Sequence, residues 1–91
     1  MTLDANATPR FTRGHRLRHD TTRDVWLIQA PEKAFVADPI AAAVLQRVDG
    51  ERSIATIVDD LARVYQAPRE TIERDVLTLL ADLTDKRVLI A

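Results

Sequence analysis

A chain of 91 residues suits a single domain, and its 46% hydrophobic and 30% charged residues are typical of a globular protein, not a disordered one. A net charge of -1 gives no overall attraction for nucleic acid or anionic lipid, and the absence of cysteine excludes disulfides, thiol catalysis and cysteine-bound zinc. No apolar run is long enough to cross a bilayer and no export signal is evident, so we expect a cytoplasmic protein without a membrane partner.

The first part of the domain has the two-residue periodicity of β-strands. Residues 1–9 show no periodicity and predict a flexible N-terminal tail, which leaves 10–91 as the single domain. The alternation over His15–His19 predicts an edge strand, and the apolar run Val25–Ile28 predicts the strongest strand in the chain. A turn and a third short strand, Ala34–Val36, complete a three-stranded antiparallel sheet with the apolar strand in the centre.

The rest of the chain changes to helical periodicity. Asp38-Pro39 predicts the start of a first helix that ends at Asp49-Gly50, and Ser53 predicts the N-cap of a second. Ala67-Pro68 separates the second helix from a third, and Val88–Ile90 is either a last short strand or a plug in the core. The predicted apolar positions of the three helices are Ile40, Val44, Leu45 and Val48, then Ile54, Ile57, Val58, Leu61 and Val64, then Ile72, Val76, Leu79, Leu80 and Leu83. The fold class is therefore α+β, a winged-helix-like domain in which three strands precede three helices.

No group of residues indicates catalysis. His15 and His19 share one face of a strand but lie about 13 Å apart in that geometry, too far to hold one metal ion. Asp59 and Asp60 fall between core positions of the second helix and belong to its solvated face. Phosphate-binding loops and nucleophile elbows are absent from the sequence. We therefore predict a protein that is not an enzyme, with no catalytic residues, no metal and no cofactor.

A winged-helix DNA-binding regulator is the alternative function. The helix, short turn and helix of the C-terminal half resemble the DNA-reading unit of winged-helix repressors. Its recognition helix would expose Arg69 and Arg74, but also Glu70, Glu73 and Asp75. Because the negative charges outnumber the positive ones, the helix would repel phosphate, and we expect no nucleic-acid partner.

The open edge of the sheet predicts a binding groove for an extended peptide. Phe35 lies on a strand whose outer N–H and C=O groups would be unpaired, and such edges accept an added strand. On the third helix Leu77 lies about 140° from Ile72, with Leu80 on the nearer flank and Ala81 close by. These side chains could form the wall opposite the strand. The same edge could instead pair two copies of the chain into a homodimer.

A series of short segments follows one another along the chain in a recognisable order and spacing. They are Arg16-Leu17-Arg18 with Asp20, Leu27 to Glu32, Asp49-Gly50 with Ser53-Ile54, Ile57 to Ala62, Ala67 to Glu70, Ile72, Asp75-Val76, Leu79-Leu80, Leu83 and Asp85-Lys86. Through these segments the chain resembles the PqqD family from about Pro9 to Leu89. One departure is Arg87, which stands where the family pattern leads us to expect glycine before the closing hydrophobic residues.

The resemblance implies a peptide chaperone of pyrroloquinoline quinone biosynthesis, a recognition element for ribosomally made, post-translationally modified peptides (RiPPs). Such a protein binds the precursor peptide PqqA and presents it to the radical S-adenosylmethionine enzyme PqqE. In this class the peptide adds as a strand beside the third strand and lies against the third helix. Transferred to this sequence, the implied peptide-binding residues are Lys33, Ala34, Phe35, Val36, Ala37, Glu73, Leu77, Leu80 and Ala81.

Overall fold

The computed structural model describes residues 3–91, and within that range the predicted order of strands and helices is confirmed. The described part of the chain contains β1 (Arg10–Phe11), β2 (Arg16–Asp20), β3 (Val25–Gln29), β4 (Ala34–Ala37), α1 (Pro39–Leu45), α2 (Ile54–Tyr65), α3 (Arg69–Asp85) and β5 (Leu89–Ile90). None of the helices in residues 3–91 has the length and apolar character needed to cross a membrane.

The three long strands form one antiparallel sheet in the order β2-β3-β4. Ile28 in the central strand is paired with Leu17 of β2 and with Phe35 of β4. Residues that are paired across neighbouring strands point to the same side of a sheet, so these three side chains lie on one face. That face meets the helices through the buried Ile28. The α+β prediction of a three-stranded sheet followed by three helices is therefore correct.

The helix boundaries follow from their caps. Asp38 accepts a hydrogen bond from the Ala41 N–H at 2.8 Å, and Ser53 caps α2 through the Thr56 N–H. The first helix is shorter than predicted, because it ends at Leu45 and not at Asp49-Gly50. The prediction that Ile40 belongs to the buried stripe is wrong. The buried positions of α1 centre on Ala41 and Leu45, so Ile40 falls outside them and is 63% exposed.

The core joins one face of the sheet to all three helices. In α2 the predicted stripe is buried up to Leu61, but Val64, one turn further on, is exposed. In α3 the central residues are Val76, Leu80 and Leu83, as the helical spacing predicted. No polar or charged residue of the described chain is buried, so this core consists of hydrophobic side chains.

A second, two-stranded sheet ties the two ends of the domain together. β1 pairs antiparallel with β5, with Phe11 opposite Leu89, and the Thr12 N–H donates to the Val88 carbonyl at 3.0 Å. β1 was not predicted, because a two-residue strand is too short to show a period. For the C-terminal segment both readings are right, since Leu89 pairs as a strand and is also buried.

The N-terminal segment contacts the start of α2. The carbonyl of Ala7 accepts the Ile54 N–H, and the carbonyl of Ala5 accepts the Ala55 N–H, both at 2.9 Å. Pro9 is buried. Residues 1 and 2 of the predicted tail lie outside the described range. The flexibility of residues 1–9 stays a prediction, but residues 5–9 have defined contacts with the domain.

The third helix ends at a residue in the left-handed conformation. Arg87 has φ of +63°, while the Lys86 and Arg87 N–H groups bond back to the last turn of α3. This conformation favours glycine, which explains why glycine is the residue expected here. The departure at Arg87 therefore leaves the path of the chain intact and adds local backbone strain.

Candidate functional site

Within residues 3–91, no strand pairs with the outer edge of β4. The Ala30 N–H donates to the Lys33 carbonyl at 2.8 Å, which makes this a hydrogen-bonded pair of the β3–β4 ladder. Bonded and non-bonded pairs alternate along antiparallel strands, so the next bonded residue of β4 is Phe35. The N–H and C=O groups of Ala34 and Val36 consequently point away from β3. Two residues of this strand can therefore form up to four main-chain hydrogen bonds with an added strand.

A groove of about 610 Å³ lies between this edge and α3. Its wall on the strand side is Phe35, which is 40% exposed, and its wall on the helix side is formed by Leu79 and Leu83. Its apolar floor consists of Ile28, Ala30, Ala37, Ala41 and Val88. An extended peptide bound to the strand edge could thus place alternate side chains on an apolar surface.

Charged groups surround the groove unevenly. Lys33 and Lys86 line the end near the β3–β4 turn together with His15, and Asp38 lines the other end. The Lys33 ammonium lies 5.0 Å from the centre of the Phe35 ring, a cation–π contact on the groove wall. The groove therefore combines an apolar centre with charges of opposite sign at its ends.

All five predicted strand residues are at this site. Lys33, Phe35 and Ala37 line the groove on the face of the sheet that meets the helices, Val36 borders it at the strand edge, and Ala34 contributes its backbone to that edge. Val36 is 70% exposed and is paired with Leu27, so its side chain alternates with that of Phe35 and lies on the opposite face of the sheet.

The predicted helix residues do not line this groove, and their part in peptide binding stays a prediction. Leu80 is 1% exposed and belongs to the core. Glu73, Leu77 and Ala81 lie on the other flank of α3, where Arg69 connects Glu73 to α2. The buried stripe allows either flank of α3 to face β4, and the packing against α2 places the Leu79 flank there. The sequence predicted Leu79 as a core position, and nothing in its helical spacing indicated that it would also line the groove.

The first turn of α3 is not arranged to bind phosphate. Arg69 Nε donates to Asp59 at 2.6 Å, and its Nη1 donates to Glu73 at 2.9 Å. Asp59 first and Glu73 second raise the pKa of Arg69 and satisfy its charge within the protein. This arrangement does not favour the DNA-binding alternative, because a phosphate would have to compete with two carboxylates.

The histidine pair is also separated in the structure. His19 stacks on Trp26 with ring centres 4.6 Å apart, and its Nε2 contacts Asp24 at 3.0 Å. His15 lies at the groove and bonds instead with Thr12. Among residues 3–91 no three His, Cys, Asp or Glu side chains are grouped closely enough to hold a metal ion.

A family model matches most of the chain that the structure describes. The family model described as Coenzyme PQQ synthesis protein D (PqqD) matches residues 26–89, which include β3 from Trp26 onward, β4 and all three helices. The chain belongs to the PqqD family. The matched range contains every residue of the groove except His15, and the family resemblance predicted from the sequence is confirmed.

Relatives in several bacteria are similar over nearly the whole domain. A protein named PqqA binding protein in Gluconobacter oxydans is 56% identical over 79 residues, which are 87% of this chain and 82% of the relative. One of the same name in Xanthomonas oryzae pv. oryzae is 44% identical over 87 residues, 96% of this chain and 95% of the relative.

Two solved PqqD structures have the same fold. The solution NMR structure of the PqqD part of Methylobacterium extorquens PqqCD has a TM-score of 0.84 and 40% identity, over 99% of this chain and 96% of that one. That protein is described as a functional, stand-alone RiPP recognition element. The crystal structure of PqqD from Xanthomonas campestris has a TM-score of 0.62 and 40% identity, over 99% of this chain and 100% of that one.

Proposed function

We propose that this PqqD-family chain binds the ribosomal precursor peptide PqqA as an added strand on β4 and presents it to the radical S-adenosylmethionine enzyme PqqE. The chain itself acts without catalysis, as a peptide chaperone of pyrroloquinoline quinone biosynthesis in the cytoplasm, where ribosomal peptides are made. The observation that carries the proposal is the free edge of β4 beside an apolar groove. The name PqqA binding protein, which relatives bear, supplies the identity of the peptide.

The proposed contacts have two roles, because main-chain hydrogen bonds fix the register of the peptide and apolar contacts add to its affinity. The backbone groups of Ala34 and Val36 fix the register of the peptide, and each main-chain hydrogen bond contributes about 1 kcal/mol net. Apolar side chains of the peptide gain affinity against Phe35, Leu79 and Leu83. The proposed site keeps the predicted residues Lys33 to Ala37 and replaces the predicted helix residues by Leu79 and Leu83.

The face of the sheet away from the helices is the proposed contact for PqqE. Residues 10–33 carry six Lys and Arg against three Asp and Glu, so this part of the chain is basic although the whole chain is not. Arg16 and Arg18 flank the core-facing Leu17 on β2, and strand alternation places them on the outer face. A bound peptide would leave this face free. We expect Arg18→Glu to weaken capture of PqqE without changing the affinity for PqqA.

The test is an amide NMR titration of the labelled protein with unmodified PqqA. We expect the largest shifts at Ala34, Val36, Leu79 and Leu83. Val36→Pro removes one outward N–H, which proline permits at a sheet edge, and should raise Kd about fivefold or more. The matched control Val36→Ala keeps the N–H and should change Kd by less than about twofold. An absence of shifts, with and without PqqE, would refute the peptide-binding role, and shifts confined to another face would refute the site.

A second copy of the chain is the competing occupant of the β4 edge. Two copies could pair their β4 strands through the same backbone groups, so a homodimer and the peptide complex would exclude each other at this site. Light scattering at each point of the titration separates the two cases. If the edge mediates dimerisation, the mass should fall from dimer to one protein with one peptide as PqqA is added.

A further inference from the structure

One end of the groove is lined by basic side chains that come from different parts of the fold. Arg16 is paired with Gln29, and Gln29 with Ala34, so His15, Ala30 and Lys33 stand in the next row across the sheet. Alternation places these three side chains on the groove face. Lys86 joins them from the end of α3, and all four residues line the groove.

Lys33 is available to an incoming anion. Within residues 3–91 its ammonium has no carboxylate within salt-bridge distance and instead lies over the ring of Phe35. This contact holds the charge against an apolar wall, where burial by a bound peptide would strengthen its attraction for an anion.

The other charges near the groove are already engaged, but to different degrees. Lys86 meets Asp82 at 3.0 Å, and because both side chains are more than half exposed this pair contributes little and can be exchanged. Asp38, at the opposite end, accepts the Ala41 N–H as the cap of α1. The groove therefore attracts a negative group at the turn end, whereas the opposite end is lined by the carboxylate of Asp38.

We propose that the turn end of the groove recognises a carboxylate of the bound peptide, held by Lys33 and Lys86. This inference rests on the proposed peptide-binding function and adds the direction in which the peptide binds. An acidic group of PqqA would set which end of the peptide lies at the β3–β4 turn. The carboxylate is an Asp or Glu side chain, or the C-terminal carboxylate of the peptide.

The test compares Lys33→Gln and Lys86→Gln with Arg23→Gln, an exposed arginine in the β2–β3 turn outside the groove. We expect Lys33→Gln to raise Kd for PqqA about fivefold and to reduce its dependence on salt, while Arg23→Gln leaves both unchanged. Lys33→Arg should restore most of the affinity, because it keeps the charge over Phe35.

Peptide variants identify the source of the carboxylate. Each Asp or Glu of PqqA is replaced by its amide in turn, and one further peptide carries a C-terminal amide. The peptide that lacks the recognised carboxylate should bind the unchanged protein about fivefold more weakly and should bind Lys33→Gln without further loss. Each protein variant is first checked for an unchanged amide spectrum.

The outcomes separate this inference from the function it rests on. If PqqA binds the unchanged protein and Lys33→Gln binds as tightly as Arg23→Gln, carboxylate recognition is wrong and peptide binding stands. If every amide-substituted peptide loses affinity equally for both proteins, the inference is also wrong. If PqqA does not bind the unchanged protein, both proposals fall.

Discussion

Two leucines of α3 provide a direct test of which flank faces the peptide. Leu77 and Leu79 are two residues apart and therefore point about 200° apart around the helix. Leu79 lines the groove, whereas Leu77 packs against the core on the flank that carries Glu73. Replacing each by alanine removes the same atoms from opposite sides of one helix.

The expected changes in Kd and in the free energy of unfolding follow from how far each leucine is buried. Fully burying a leucine side chain contributes about 1.5–3 kcal/mol, and Leu79 is already partly buried in the free protein. About 1 kcal/mol is then left to gain from a bound peptide, so Leu79→Ala should raise Kd about fivefold. Leu77→Ala should leave Kd unchanged and lower the free energy of unfolding by about 1–2 kcal/mol, less than for a fully buried leucine.

Isothermal titration calorimetry with PqqA measures Kd for both variants, and urea unfolding measures their stability. The difference in Kd between the two variants identifies the flank, because both substitutions remove a partly buried side chain from the same helix. If Leu77→Ala weakened binding as much as Leu79→Ala or more, the groove between β4 and the Leu79 flank would not be the site. The helix flank predicted from the sequence would then be restored.

Three further predictions concern stability. Arg87→Gly should raise the free energy of unfolding by about 0.5–1 kcal/mol in urea, since glycine adopts φ of +63° without strain; an unchanged or lower value would contradict the strain argument. Arg47, through its hydrogen bond, lowers the pKa of Asp60 below its ordinary value of 3.8, so this stabilisation is complete above that pH and is lost as the pH falls through the lower folded-state pKa. Acid titration of Asp60→Asn should therefore show a smaller loss of stability below pH 3.8 than the unchanged protein, and equal losses would exclude a role for this pair. Deleting residues 1–7 removes two carbonyl acceptors from the start of α2 and should lower the melting temperature by several degrees, whereas a freely flexible tail would leave it unchanged.

The parts of the fold that were predicted correctly depend on local chemistry. Asp38 and Ser53 cap the helices that they were expected to start, because a side-chain oxygen next to free N–H groups acts within one turn of the chain. The central position of β3 followed from its apolar character on both faces. The pairing of β1 with β5 could not be predicted, because it joins two dipeptides almost 80 residues apart.

The rotation of α3 about its axis, which decides the flank that faces the groove, could not be predicted in the same way. The sequence shows a leucine on each flank but does not show which of the two faces β4. A buried stripe through Val76, Leu80 and Leu83 leaves one leucine on each flank, and both flanks are compatible with the helical period. Only the direction from which α2 and the sheet approach decides which flank is exposed to the groove. That direction is a property of the topology, and the ion pairs of Arg69 on the α2 side are its visible consequence.

The groove remains open because the residues beneath it are small. Ala30, Ala37 and Ala41 are all buried, yet each contributes only a methyl group to the space between β4 and α3. Larger apolar residues at these positions would fill the groove and add about 0.8 kcal/mol for each methylene group buried. A domain of 91 residues has little stability to spare, so a hollow lined by alanines beside an unpaired strand is unfavourable for folding alone. A ligand that supplies the missing strand and the missing side chains accounts for both features at once.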